Sequence, residues 1–112
     1  MRLKSAIWVA AFRRTCEVRG LYCAVIRKGA EEAGAVYVIV NHLDGTLHLF
    51  GPAPGPAYDE QGERRWIEEL GGAIGQDEID SLLAKRLKSD PDLWIIEIED
   101  RNGVAGLTAE KH

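Results

Sequence analysis

Asp90-Pro91-Asp92-Leu93-Trp94-Ile95-Ile96-Glu97-Ile98-Glu99-Asp100 is the stretch that decides the fold. Pro91 disfavours a helical Asp90. The amphipathic helix marked from Asp77 by Ile79, Leu82, Leu83 and Leu87 therefore stops near Lys88. Lys85, Arg86 and Lys88 fall in its last turns, where cations suit the helix dipole. Beyond the proline the period changes. Leu93–Asp100 reads as a mostly apolar strand, with Glu97 and Glu99 alternating against Ile96 and Ile98. A helix followed at once by a buried strand, in a chain of 112 residues, predicts one α+β domain.

Upstream, Ser5 is the expected N-cap and Gly20 the expected C′ residue of a first helix over residues 6–19. Trp8, Phe12 and Cys16 form its stripe, and its first two turns are apolar nearly all round, which predicts core burial or self-association. Leu21–Lys28 and Ala35–Leu43 read as strands, with Gly29–Gly34 as the turn between them. The unbroken run Val36-Tyr37-Val38-Ile39-Val40 predicts a central strand covered on both faces. Asp44-Gly45 is a two-residue hairpin signal leading into a third strand, Thr46–Phe50. That turn sets Asn41 opposite His48 and Ile39 opposite Phe50, and it sends His42 and His48 to opposite faces.

Gly51-Pro52-Ala53-Pro54-Gly55-Pro56-Ala57 opens a loop running to about Gly62. Glu63–Leu70 fits either a helix or a strand. A fourth antiparallel strand, ended by Gly71-Gly72, is favoured because the loop can return the chain beside the third. Asp100–Gly103 is a turn that can lead into a short edge strand, Val104–Leu107, and Thr108–His112 reads as a frayed polar end. The expected architecture is an antiparallel sheet of four to five strands with two helices packed on it, in the order α-β-β-β-(β)-α-β.

Hydrophobic residues at 46% and charged residues at 29% are the balance of a folded globule, not of a disordered chain. A net charge of -4 disfavours nonspecific nucleic-acid binding. The charge is uneven: residues 1–28 hold seven basic groups against Glu17 alone, while the rest carries seven basic groups and seventeen acids. This leaves a weak nucleic-acid interaction through the basic N-terminal face as a third-ranked reading. Ala6–Phe12 is short for a signal-peptide core, Arg13-Arg14 follows it, and no stretch is long enough to span a bilayer. Cys16 and Cys23 lack metal-type spacing and sit among apolar neighbours. A soluble protein in a reducing cytoplasm is expected.

The segments Met1-Arg2-Leu3-Lys4-Ser5-Ala6-Ile7-Trp8-Val9-Ala10, Gly34-Ala35-Val36-Tyr37-Val38, Gly51-Pro52-Ala53-Pro54 and Asp90-Pro91-Asp92-Leu93-Trp94 occur together. In that combination the chain resembles a bacterial family of short proteins catalogued as domain of unknown function 1491. The resemblance covers nearly the whole chain and implies a single cytoplasmic domain. It implies no activity, cofactor or catalytic residue. The element order is also similar to the core of restriction-like nucleases, but Thr46–Phe50 carries no Glu-x-Lys, and that analogy rests on topology alone.

Four groups of side chains are candidate sites. Asp90, Asp92, Glu97 and Glu99 could serve a hard cation in a metal-assisted hydrolase. Turn formation and strand alternation account for the same residues without a metal. His42 and His48, on opposite faces, do not share a ligand. Ser5, Ser81 and Ser89 lack a nucleophile elbow, and neither cysteine has an activating base. The Pro-rich loop at residues 51–66 is the favoured candidate. Tyr58, Arg64, Arg65 and Trp66 are residue types that dominate binding hot spots, and Arg64-Arg65 suits a carboxylate or phosphate. The sequence thus points to a binding or accessory protein rather than an enzyme, with a protein or small anionic ligand as partner. It calls for no cofactor and no metal, and leaves room for a homodimer.

Overall fold

The computed structural model describes residues 4–110. Its elements are α1 (Ser5–Val18), β1 (Tyr22–Arg27), β2 (Val36–Asn41), β3 (Leu47–Pro52), β4 (Trp66–Ile74), α2 (Gln76–Ser89) and β5 (Trp94–Glu99). The five strands form one sheet in the order β1-β5-β2-β3-β4. The fold is α+β as the sequence predicts, with one difference: the sheet is mixed. β5 runs parallel to β2 and antiparallel to β1. The β2–β3 and β3–β4 pairs are antiparallel.

β5 therefore lies between β1 and β2, and Gly29–Gly34 is a crossing, not a hairpin turn. Ala30 donates its N–H to the Asp92 carbonyl at 2.8 Å. Trp94 returns its indole N–H to the Ala30 carbonyl at 2.8 Å. A Cβ on Gly29 or Gly34 would lie 2.2 or 2.4 Å from the Asp92 oxygen, so the crossing needs bare backbone at both positions. The two adjacent parallel strands carry the longest apolar runs because both their faces are covered.

Even-numbered β2 residues, Val36, Val38 and Val40, join Phe50, Trp66, Ile96 and Ile98 beneath α1. The odd-numbered Tyr37 and Ile39 join Leu49, Ile95, Ile79 and Leu83 beneath α2. Only one side of α1 is covered; Ile7 on the other is 53% exposed, against the expectation of burial all round. Ser5 is not its N-cap. Lys4 takes that position, and the carbonyls of Glu31 and Glu32 accept the first helical N–H groups of Ala6 and Ser5. At the other end the reading of Gly20 holds. Gly20 N–H bonds Glu17 and Leu21 N–H bonds Cys16, a Schellman closure at φ +75°.

The β2–β3 connection has three residues, not two. His42 N–H bonds the Thr46 carbonyl, so Leu43-Asp44-Gly45 is the loop. Asn41 consequently pairs with Leu47, Ile39 with Leu49 and Val40 with His48, one residue from the expected register. β3 continues through Gly51 to Pro52, which pairs with Trp66, so the ladder runs further than the prolines suggested. The ambiguous segment is a strand from Trp66. It passes through Gly71-Gly72 in a bulge, with Leu70 at φ +61°, rather than ending there. Val104–Leu107 forms turns instead of a strand, and the expected fraying of 108–110 is replaced by a bridge from Ala109 to Trp66. Met1–Leu3, Lys111 and His112 lie outside the described residues.

Candidate functional site

The Pro-rich loop is held by its own arginines. Tyr58 and Arg64 form an antiparallel bridge, closed by Asp59, whose carboxylate accepts the N–H groups of Gln61 and Glu63. Arg65 points Nη1 at the carbonyls of Pro54 and Pro56, both at 2.9 Å. Its Nε and Nη2 fork onto the Glu110 carboxylate at 2.7 and 2.8 Å. This residue staples the loop to the C-terminal segment.

Arg64 turns the other way, towards α1. Its guanidinium carbon lies 5.1 Å from the ring centroids of both Trp8 and Tyr58. Nε donates to Tyr58 Oη and Nη2 to Ser5 Oγ, each at 3.2 Å. Ser5 in turn donates to the Gly34 carbonyl at 2.6 Å. The buried serine that the sequence offered as a helix cap thus fixes this arginine and the β1–β2 crossing together.

Between α1, this loop and residues 105–110 lies a cleft of about 800 Å³, within the range of small-molecule sites. Its aromatic side is Trp8 stacked on Phe12 at 4.8 Å, with Trp66 tilted against Trp8 at 5.5 Å. Trp66 is itself only 4% exposed, so it supports the cleft more than it opens into it. Arg64 lines one part, and Arg19, lying against Gly106, another. Among the described residues neither arginine is ion-paired. Of the four loop residues singled out in the sequence, Arg64, Arg65 and Trp66 line the cleft and Tyr58 holds Arg64. Sequence reasoning missed Trp8, Phe12 and Arg19, because a helix stripe reads as core and nothing local shows which loop will lie across it.

The four carboxylates are not gathered. Asp90 Oδ1 accepts the Asp92 N–H in a local turn before β5. Glu97 and Glu99 share a face further along the strand, three and five residues beyond Trp94 where β5 begins, whereas Asp90 and Asp92 lie in the turn before it. Glu97 accepts a long hydrogen bond from Asn41 Nδ2 at 3.5 Å. Among the described residues no group of three or more His, Cys, Asp or Glu side chains is arranged to hold a metal ion.

A cluster the sequence reading excluded is present instead. The three-residue loop places His42 and His48 on the same face, with His42 Nε2 2.6 Å from His48 Nδ1. His42 Nδ1 meets the Asp100 carbonyl at 2.8 Å, and His48 Nε2 meets Glu68 Oε1 at 3.1 Å. Cys16 on α1 and Cys23 on β1 are free thiols in contact between the two elements. Burial pushes both thiols up, and burial together with its neighbour Cys16 brings Cys23 to about 12. Neither has the character of a nucleophile.

The model of the family described as "Protein of unknown function (DUF1491)" matches residues 3–108. The chain belongs to this family. Its likeness to solved structures runs end to end. A solution structure of an A. tumefaciens protein is 37% identical, with a TM-score of 0.81 over 99% of this chain and 98% of that one. The crystal structure of a DUF1491 protein from Caulobacter crescentus is also 37% identical, with a TM-score of 0.79 over 99% of this chain and 100% of that one. No curated protein matches the chain. Among the described residues no helix of this DUF1491 protein is long and apolar enough to cross a membrane.

Proposed function

We propose that this DUF1491 protein is a binding module whose cleft takes a small anionic ligand with a flat, apolar body. The observation that carries this reading is the placement of Arg64. Its charge is held between the rings of Trp8 and Tyr58 at the cleft wall and is not neutralised by a carboxylate. A cation fixed on an aromatic surface presents both of the surfaces that a ring carboxylate or an aryl phosphate needs. Arg19 supplies a second positive group on the same cleft. The free, unreactive thiols support a reducing, cytoplasmic setting as part of the same proposal.

The test is a panel of small aromatic carboxylates and phosphate monoesters, followed through the indole NH signals of Trp8 and Trp66. The expected result is saturable shifts that Arg64→Lys and Arg19→Ala each weaken by about tenfold, the scale of one charge-assisted hydrogen bond. Absence of any shift at millimolar ligand would sink the small-anion reading.

A further inference from the structure

The sequence holds two asparagines, Asn41 and Asn102, and only Asn102 is followed by glycine. An asparagine amide is among the labile groups of a protein. It is lost when the next residue's backbone nitrogen attacks its carbonyl carbon, and a glycine there puts no side chain in the way. Both reacting groups are open in the turn after β5. Asn102 is exposed. Among the described residues neither its side-chain amide nor the Gly103 N–H has a hydrogen-bond partner.

Two comparable positions are closed. Asn41 Oδ1 accepts the Leu43 N–H at 2.8 Å, and the nitrogen that follows Asn41, that of His42, donates to the Thr46 carbonyl. Asp44-Gly45 has the right spacing for the same ring. Asp44 Oδ1, however, accepts from both the N–H and the hydroxyl of Thr46, bonds that favour its ionised form. An ionised carboxylate has a poor carbonyl to attack and no ammonia to release.

We propose that Asn102-Gly103 is a self-modification site, which converts to isoaspartate and so loosens the C-terminal segment that walls the cleft. The Gly103 nitrogen bonds to Asn102 Cγ, the Cγ–Nδ2 bond breaks, and ammonia leaves with the proton that the Gly103 nitrogen gives up. Water then opens the five-membered imide. Opening at the main-chain carbonyl routes the chain through the former side chain, as isoaspartate; opening at the other carbonyl gives aspartate. Water is the only co-reactant.

The place of this turn gives the reaction a consequence. The Asp100 carboxylate accepts the N–H groups of Asn102 at 3.3 Å and Ala105 at 2.9 Å. Ala105 is buried at φ +56°, a conformation strained for a residue with a Cβ, and the Asp100 bond helps to hold it there. Isoaspartate lengthens the chain by one carbon inside the turn and sets a second carboxylate two residues from Asp100. Both changes weaken the hold on Ala105, beside which Val104, Leu107 and Ala109 pack in the α1-side core. The same segment lines the cleft and bridges to Trp66. That the change weakens a cleft ligand rests on the binding reading above; the modification itself does not.

The experiment ages the folded protein for weeks in mildly alkaline buffer, beside a urea-denatured sample and Asn102→Gln, with no ligand present. Peptide mapping by mass spectrometry locates the lost amide and separates aspartate from isoaspartate. The expected result is conversion at Asn102 in the folded protein at a rate approaching that of the denatured chain. Asn102→Gln, whose longer side chain has to close a six-membered ring, stays unconverted. In the isoaspartate form, isolated by its added charge on an ion-exchange column, hydrogen exchange at the Ala105, Leu107 and Glu110 N–H groups rises by about tenfold or more, the mark of easier local opening. A folded protein that keeps the amide while the denatured chain loses it overturns the proposal, because the turn then shields Asn102. Equal loss at Asn41 in the folded protein, or an isoaspartate form whose exchange matches that of the unmodified protein, overturns it as well. Failure of the ligand panel alone leaves these readouts intact and counts against the cleft reading only.

Discussion

Arg65 grips Glu110 through two parallel N–H···O bonds of 2.7 and 2.8 Å, while its remaining nitrogen holds the carbonyls of Pro54 and Pro56. One guanidinium thereby closes the Pro-rich loop and anchors the segment that walls the cleft. Arg65→Ala is expected to lower the melting temperature and to raise hydrogen exchange at Ala109 and Glu110. The effect of the Glu110→Gln partner should shrink in high salt, because the pair is partly exposed and screened. Unchanged exchange at both amides would show that the staple contributes nothing.

Ser5 is 1% exposed and donates to Gly34 while accepting from Arg64. Ser5→Ala strands the Gly34 carbonyl and removes one of Arg64's partners. A cost of about 1–3 kcal/mol is expected in denaturant unfolding, the usual range for a buried group left unsatisfied. Ser5→Thr keeps the hydroxyl but adds a methyl in a closed site, so any deficit it shows is steric. If alanine is tolerated within about 0.5 kcal/mol, the hydroxyl is dispensable for folding.

How far the sequence reveals this molecule depends on the range of each signal. The Schellman end at Gly20, the stop at Asp90-Pro91 and the doubly buried β2 follow from local rules, and the structure has all three. What the sequence hides is which strands become neighbours. Gly29–Gly34 looks like a hairpin turn because nothing nearby shows that β5, more than sixty residues later, will occupy the gap. The histidine pair was lost to one residue of loop length. Asp44-Gly45 is a good two-residue turn, yet Leu43 joins it at φ +61°, and in a strand a one-residue change reverses every face. The loop side chains Arg64, Arg65 and Trp66 were legible as a site by type. Their partners on α1 were not, because Trp8 and Phe12 have the spacing of ordinary core.

The crossing over β5 makes a sharp steric prediction. A Cβ at residue 34 would lie 2.4 Å from the Asp92 oxygen and about 3.0 Å from backbone atoms of Ala30. None of these is the end of a flexible side chain. Gly34→Ala should therefore cost at least about 2 kcal/mol, towards the upper range of overpacking. Gly45→Ala is the control: its Cβ meets nothing within 4 Å, and only its φ of +93° opposes the change. Equal losses at the two positions, measured by denaturant unfolding, would mean that close approach to Asp92 is not what demands the glycine.

The thiol pair contributes to the behaviour of the protein in base. Burial raises Cys16, and burial with the adjacent Cys16 raises Cys23 from 9.0 to about 12. The folded state thus holds these protons more tightly than the unfolded chain. The contribution to stability is fully present below pH 9.0 and is lost as pH rises towards about 12, because the unfolded thiols ionise first. Cys23→Ser and Cys16→Ala should each flatten that alkaline decline in a series of unfolding curves. Alkylation by iodoacetamide at neutral pH should be slow in the folded protein and fast after denaturation, since the thiolate is the reacting species. Rapid modification of Cys23 in the native state would instead show a thiol that α1 does not shield.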